Sequence, residues 1–195
     1  MAIHNIEILE NTHKDAAFSN NVFFHMQDRK DRKKKIKFDA YLFGVLEGIT
    51  YKIQNKYHGF IIITGAVGSG KSTLAQGLSA VYGEMNNEKF QLNNIVWTSE
   101  KFVAKTDDEN NIGEIILWDE AITGATGRKM GLTSQGDDLK NALVTKRFKR
   151  HLYILLVDEV EEYSWKLIKM AQAWIDVKAY GADRGHFDVY TKKKK

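Results

Sequence analysis

Short apolar runs, separated by polar and glycine-rich stretches, organise the chain from its middle onward. "GFIIIT", from Gly59 to Thr64, is continuous, apolar and β-branched, the pattern of a strand buried on both faces of a parallel sheet. "NNIVWT" (Asn93 to Thr98), "EIILWD" (Glu114 to Asp119) and "LYILLV" (Leu152 to Val157) predict three more strands, and "IDVKAY" and "FDVYT" follow near the end. Spacings of three and four predict helices instead. Between Phe38 and Tyr57 they connect Tyr41, Leu42, Val45, Leu46, Ile49 and Ile53, although Gly44 and Gly48 weaken the pattern. "KSTLAQGLSAVYG" predicts a second helix that stops near Gly83, and "EEYSWKLIKMAQAW" predicts a third from Glu161 to Trp174. Strands alternating with helices imply right-handed crossovers, so the predicted class is α/β with three layers around a mostly parallel central sheet.

Two regions resist this reading. The first thirty or so residues carry no clear period, and "ENTHKDAAFSNN" reads as loop or short-element material. From Ala121 to Asp138, "AITGATGRKMGLTSQGDD" is rich in Gly, Thr and Ser without an apolar period, and loops this long are usually functional or mobile.

Composition narrows the classes. At 195 residues and 43% hydrophobic content the chain can bury one good core, which predicts a single domain with small additions. No stretch reaches the roughly 18 consecutive apolar residues of a membrane span, and "MAIHNIEILENTHKD" lacks a signal-peptide core, so a soluble cytoplasmic protein is expected. The absence of cysteine excludes disulfides, a thiolate nucleophile and a cysteine zinc site. The histidines are scattered without ligand spacing, so a metal is expected only in company with a nucleotide. A net charge of +4 is concentrated in "RKDRKKKIK" (Arg29 to Lys37), "KRFKR" (Lys146 to Arg150) and the terminal "KKKK". Such runs suit phosphates, or are simply solvated faces and a frayed tail.

The chemistry begins directly after the first strong strand. "GAVGSGKST" comprises Gly65, Ala66, Val67, Gly68, Ser69, Gly70, Lys71, Ser72 and Thr73, and it matches the G-x-x-x-x-G-K-[ST] phosphate loop. Glycines let backbone N–H groups wrap the phosphates, Lys71 reaches the β- and γ-phosphates, and the Ser72 hydroxyl ligates Mg²⁺. ATP and Mg²⁺ are therefore the expected cofactors. "EIILWDE" supplies the acids expected at a neighbouring strand end: Asp119 to hold Mg²⁺ and Glu120 to polarise an attacking water. That pairing favours a hydrolase over a kinase, which must exclude water. The strand order resembles the additional-strand, catalytic-glutamate division of P-loop ATPases, the RecA-like group, in which the strand after the acidic one inserts beside the P-loop strand. Its end then faces the γ-phosphate, where this chain offers Asp158 and Glu159.

With "GFIIITGAVGSGKST", "ILWDEA", "NALVTKRFKRHLYILLV" and "KLIKMAQAWIDVKAYG", the chain from Gly59 onward resembles the HerA/FtsK superfamily of DNA-pumping ATPases. The compact viral and plasmid forms, including relatives of the zonular occludens toxin ATPases, are the most similar. The resemblance implies a homo-oligomeric ring, commonly a hexamer, that threads double-stranded DNA and hydrolyses ATP at subunit boundaries. It implies an arginine finger, for which Arg147 is the first choice and Arg150 and Arg128 are alternatives, with Arg128 and Lys129 as DNA or intersubunit contacts. An ordinary exposed base is the other reading of Arg147. Glutamine is usual at the sensor position, whereas Asp158 stands here, and an acid donates no hydrogen bond to phosphate unless protonated. The N-terminal barrel of the cellular HerA type is not expected in this sequence, which would make a portal or membrane partner a separate protein. The domain reading is an N-terminal extension with a packing helix over 1–58 and the ATPase core with a basic tail over 59–195. An AAA-type ATPase remodelling a protein, and a nucleotide kinase, are the competing classes. Trp118, in an apolar strand, is expected in the core, and Trp165 and Trp174 are expected as helix packing or interface anchors.

Overall fold

The computed structural model describes residues 7–8, 21–27, 33–109, 111–119, 134–158, 165–180 and 183–191. Its central sheet is built on β4 (Gly59–Thr64), whose six residues are all buried, as the unbroken apolar run predicts. Before it come three antiparallel strands, β1 (Glu7–Ile8), β2 (Asn21–Gln27) and β3 (Lys33–Asp39), paired in that order. The stretch "ENTHKDAAFSNN", expected as loop or short-element material, lies outside the described residues except for Asn21, which opens β2. Seven residues of β2 pair in register with β3, from Asn21 opposite Asp39 to Gln27 opposite Lys33. Cross-strand pairing to a partner segment supplies what the local pattern lacks.

Asp39 then caps α1 (Ala40–Gln54), accepting a hydrogen bond from the Leu42 N–H at 2.9 Å. Leu42, Leu46, Ile49 and Ile53 are buried against the sheet. Their burial contributes roughly 1.5–3 kcal/mol apiece. Gly44 and Gly48 cost about 1 kcal/mol each, so packing outweighs propensity.

The remaining elements are α2 (Lys71–Asn86), β5 (Ile95–Val96), α3 (Ser99–Asp107), β6 (Ile115–Trp118), α4 (Ser134–Thr145), β7 (Leu152–Leu156), α5 (Trp165–Ile168), β8 (Ala173–Tyr180) and β9 (Asp183–Thr191). The six-stranded sheet runs β5-β6-β7-β4-β8-β9, and every pairing in it is parallel except β8 with β9. Alternate residues of β4 face opposite cores. Ile61 and Ile63 join α1 and α2 on one side. Phe60 and Ile62 join Phe102 of α3, Leu143 of α4 and Leu167 of α5 on the other. The chain is therefore a three-layer α/β P-loop fold, and the strand after the acidic one, β7, is inserted between β6 and β4.

Three predicted boundaries move. The second helix continues past Gly83 to Asn86. The glycine-rich stretch ends earlier than Asp138, because α4 opens at Ser134. The helix predicted over Glu161–Trp174 is a single turn, Trp165–Ile168, within the described residues. From Ala173 the exposure alternates strictly, with Ala173, Ile175 and Val177 buried, so period two wins there. Gln172 precedes that strand: its side-chain amide oxygen accepts from the Phe60 N–H, and its backbone N–H donates to the Phe60 carbonyl at 2.8 Å. Trp118 is a core residue, stacked on Phe102 with ring centroids 4.5 Å apart. No described helix is long and apolar enough to cross a membrane.

Candidate functional site

The loop between β4 and α2 is shaped by glycines that other residues could not replace without strain. Gly65 has φ +142°, and a Cβ there would lie 2.2 Å from the Val177 carbonyl oxygen of β8. Gly70, at φ +106°, occupies the cap position of α2 and brings no side chain to it. The first N–H groups of α2 are thus left facing outward from a helix start, where the backbone dipoles favour an anion. The Ser69 N–H closes the loop on the Ala66 carbonyl at 3.0 Å, and the Gly65 N–H donates to the Asp158 carbonyl at 3.2 Å. Ala66, Val67 and Gly68 form the exposed rim, and Thr73 is also exposed.

Lys71 lies inside this loop, and its ammonium is fully engaged by the protein. It donates to the carbonyls of Gly65 and Ala66 and to Asp158 Oδ1, the last at 2.8 Å. The Asp158 side chain is 55% exposed, against 12% for Lys71. The residue expected as a sensor therefore stands on the lysine expected to bind phosphate. An incoming triphosphate must replace that carboxylate.

The Ser72 hydroxyl donates to Asp119 Oδ1 at 3.4 Å, which joins the start of α2 to the end of β6. A hydroxyl beside a carboxylate is a hard oxygen donor pair of the kind Mg²⁺ uses together with phosphates and water. The Ser72–Asp119 pair fits a magnesium ion brought by a nucleotide, and no cluster of three or more His, Cys, Asp or Glu that could hold a metal occurs among the described residues. Glu120, Arg128, Lys129 and Glu159 lie outside the described residues.

Behind the loop is a network that periodicity alone does not show. Thr64, the last residue of β4, donates to Asp176 Oδ1 at 2.8 Å and accepts from the Trp174 indole N–H at 2.8 Å. Trp174 also stacks on Tyr190 with centroids 4.5 Å apart. Trp174 lies beyond the helical turn Trp165–Ile168 and is instead a strand residue whose indole buttresses the loop. The only sequence signal for it is the alternation beginning at Ala173.

Arg147 and Arg150 are elsewhere. Arg147 lies beyond the end of α4, in a single turn of 3-10 helix (Arg147–Lys149) and not on α4 itself. Its guanidinium sits over the Tyr57 ring at 5.5 Å. Tyr57 precedes β4 and Arg150 precedes β7, so both arginines occupy the edge where these strands begin. The glycine loop occupies the edge where they end. Six residues of extended chain separate the two edges, about 20 Å. Within one chain neither arginine reaches the loop, and a finger role requires a neighbouring subunit to present that edge.

The family model described as "NB-ARC domain" matches residues 45–178. The solved N-terminal domain of zonular occludens toxin from Neisseria meningitidis is similar at 16% identity over 71% of this chain and 96% of that one, with a TM-score of 0.44. A chain of the E. coli MS115-1 HORMA:CdnC:Trip13 complex is similar at 12% identity over 67% of this chain and 57% of that one, with a TM-score of 0.41. No curated protein matches the chain.

Proposed function

Because the chain belongs to the NB-ARC domain family, and so is a nucleotide-hydrolysing P-loop ATPase, we propose that it converts ATP hydrolysis into movement along DNA as an oligomeric ring. In this reading the loop from Gly65 to Thr73 wraps the phosphates, Lys71 holds the β- and γ-phosphates, and Ser72 and Asp119 hold Mg²⁺. A magnesium ion held there would supply positive charge for the transferred phosphoryl group. Glu120 orients the water, and Asp158 faces the γ-phosphate.

One observation carries the motor reading. The adjacent parallel strands β4 and β7 end at the nucleotide site, through Gly65 and Asp158, and begin at an edge carrying Lys56, Arg147 and Arg150. Both strands are fully buried, so a shift forced on Asp158 by phosphate has a packed path to that cationic edge. The motif combination resembling HerA/FtsK ATPases supports DNA as the polymer. It also supports an oligomeric ring.

The test is the ATPase rate with and without DNA, single-stranded and double-stranded, on wild type, Lys71→Ala and Glu120→Gln. Stimulation by DNA in wild type, lost in both variants, is expected. A DNA-insensitive, strictly monomeric ATPase sinks the motor reading. The family match itself expresses no preference for DNA, so stimulation by a protein partner alone selects the remodelling reading.

A further inference from the structure

We propose that the groove between the end of α1 and the turn after α4 binds an unpaired nucleic-acid strand, with Lys56, Arg147 and Arg150 on its phosphates and Phe148 stacked on a base. The groove has a volume of about 490 Å³ and is lined by these four residues with Val144 and Thr145. It lies on the edge of the sheet opposite the nucleotide loop.

The run Lys146–Arg150 is not a uniformly solvated charge patch, because its four cations are divided by use. Lys146 is paired with Asp107 at 2.8 Å, and the buried Lys149 donates to the Asp108 carbonyl at 2.7 Å. Arg147 and Arg150 form no ion pair with a described residue, and both line the groove, as does the equally unpaired Lys56. The lysines hold the turn in place, and the arginines are left to face the groove.

Backbone conformation points the same way. Lys56 (φ 66°) and Arg150 (φ 57°) are two of three described non-glycine residues in the left-handed region. Each follows a helical segment, where glycine is the favoured residue. A side chain in that conformation costs roughly 1 kcal/mol. Two of the three are cations and both line the same groove; the third is Asn87, at the end of α2.

The apolar part of the surface decides the ligand. Phe148 is 64% exposed and Val144 58% exposed, and Arg147 of the same groove lies over the Tyr57 ring. A duplex presents phosphates outward and keeps its base faces stacked inside, so it would satisfy the cations and leave Phe148 in water. An unpaired strand satisfies both, since every base has a face that stacks on an aromatic ring.

The site deepens the motor reading and rests on it only for the link to hydrolysis. Binding is measured without nucleotide, by anisotropy of a fluorescein-labelled oligothymidylate over a salt series. The Arg147→Ala/Arg150→Ala double variant should bind at least ten-fold more weakly and lose about one to two from the slope of log affinity against log salt. Phe148→Ala should weaken the oligothymidylate roughly ten-fold and leave any duplex binding unchanged. Lys56→Gly separates recognition from folding: it should raise the melting temperature, by relieving the left-handed backbone, while weakening binding. Wild-type affinity in the double variant and in Phe148→Ala overturns the proposal, as does a preference for duplex. Arg147→Ala subunits that poison wild-type ATPase in mixtures without nucleic acid overturn it too, by assigning that arginine to a neighbour's nucleotide. If the groove binds the oligomer but no nucleic acid changes the ATPase rate, the motor reading fails and the groove stands. If DNA stimulates hydrolysis while the groove variants bind as wild type, the groove fails and the motor stands.

Discussion

Replacing Asp158 with asparagine should tighten nucleotide binding. The Asp158 carboxylate holds Lys71 at 2.8 Å, alongside the Gly65 and Ala66 carbonyls. A triphosphate has to break that ion pair and then sit beside the displaced carboxylate. With the acid half-exposed, the pair itself is worth only about 0.2–1 kcal/mol. The repulsion is the larger part. One unit of phosphate charge some 6 Å from the carboxylate, at an effective dielectric constant near 20, amounts to about 3 kcal/mol before screening. Solvent around the exposed acid removes more than half of it. The sum is about 1–2 kcal/mol, or roughly five- to thirty-fold in dissociation constant. Asparagine has nearly the same shape, so no cavity or strain confuses the comparison. Titration with fluorescent ATP and ADP analogues reads the effect, which should be larger for ATP because the γ-phosphate adds charge on the Lys71 side. It should also shrink as salt rises. Unchanged affinity for both nucleotides, or a tenfold loss, would refute the reasoning and make Asp158 a contributor to binding and not a competitor.

Gly65→Ala should abolish nucleotide binding and lower stability, since its Cβ would lie 2.2 Å from a β8 carbonyl at a backbone angle that L residues avoid. Overpacking and strain together cost about 3 kcal/mol or more. In thermal unfolding that is a fall of roughly 6–12 °C. A variant melting within a degree or two of wild type contradicts the geometry. His151 sets an acid limit on the fold. Burial, with a smaller contribution from the Lys149 charge, lowers its pKa from 6.5 to about 4. Between those values the unfolded chain binds a proton that the folded chain excludes, so stability is complete above pH 6.5 and declines as pH falls towards 4. The loss is on the order of 3 kcal/mol, since each pH unit is worth about 1.4 kcal/mol. Urea midpoints at several pH values should show this slope in wild type, and His151→Leu should flatten it; equal slopes in the two proteins rule His151 out as the cause.

The sheet was legible where the chain buries strands on both faces. Gly59–Thr64 and Leu152–Leu156 are unbroken apolar runs because helices cover them on either side, and their lengths came out within a residue. Reading failed where an element is short or borrows its order from a partner. β5 has only two residues, and β2 exists through its register with β3. At Trp174 a single helical turn gives way to a strand within five residues, so a helical period extends across a boundary that only Gln172 and its bonds to β4 reveal. The phosphate loop was recognisable because its chemistry is local. The contact between Lys71 and Asp158 spans 87 positions, and the groove joins Lys56 to residues near 148, so neither leaves a linear trace. Family membership was not legible either, because the phosphate loop and the acidic strand are shared by many ATPases.

The hydrogen bond between the Trp174 indole and Thr64 has an optical consequence. It places a fluorophore one residue from the first glycine of the phosphate loop, stacked on Tyr190 and partly open to water. Trp118, by contrast, is sealed against Phe102. Any rearrangement of the loop that shifts Thr64 changes the polarity felt by the Trp174 ring, so the protein carries its own reporter of nucleotide arrival, readable by emission wavelength without a label.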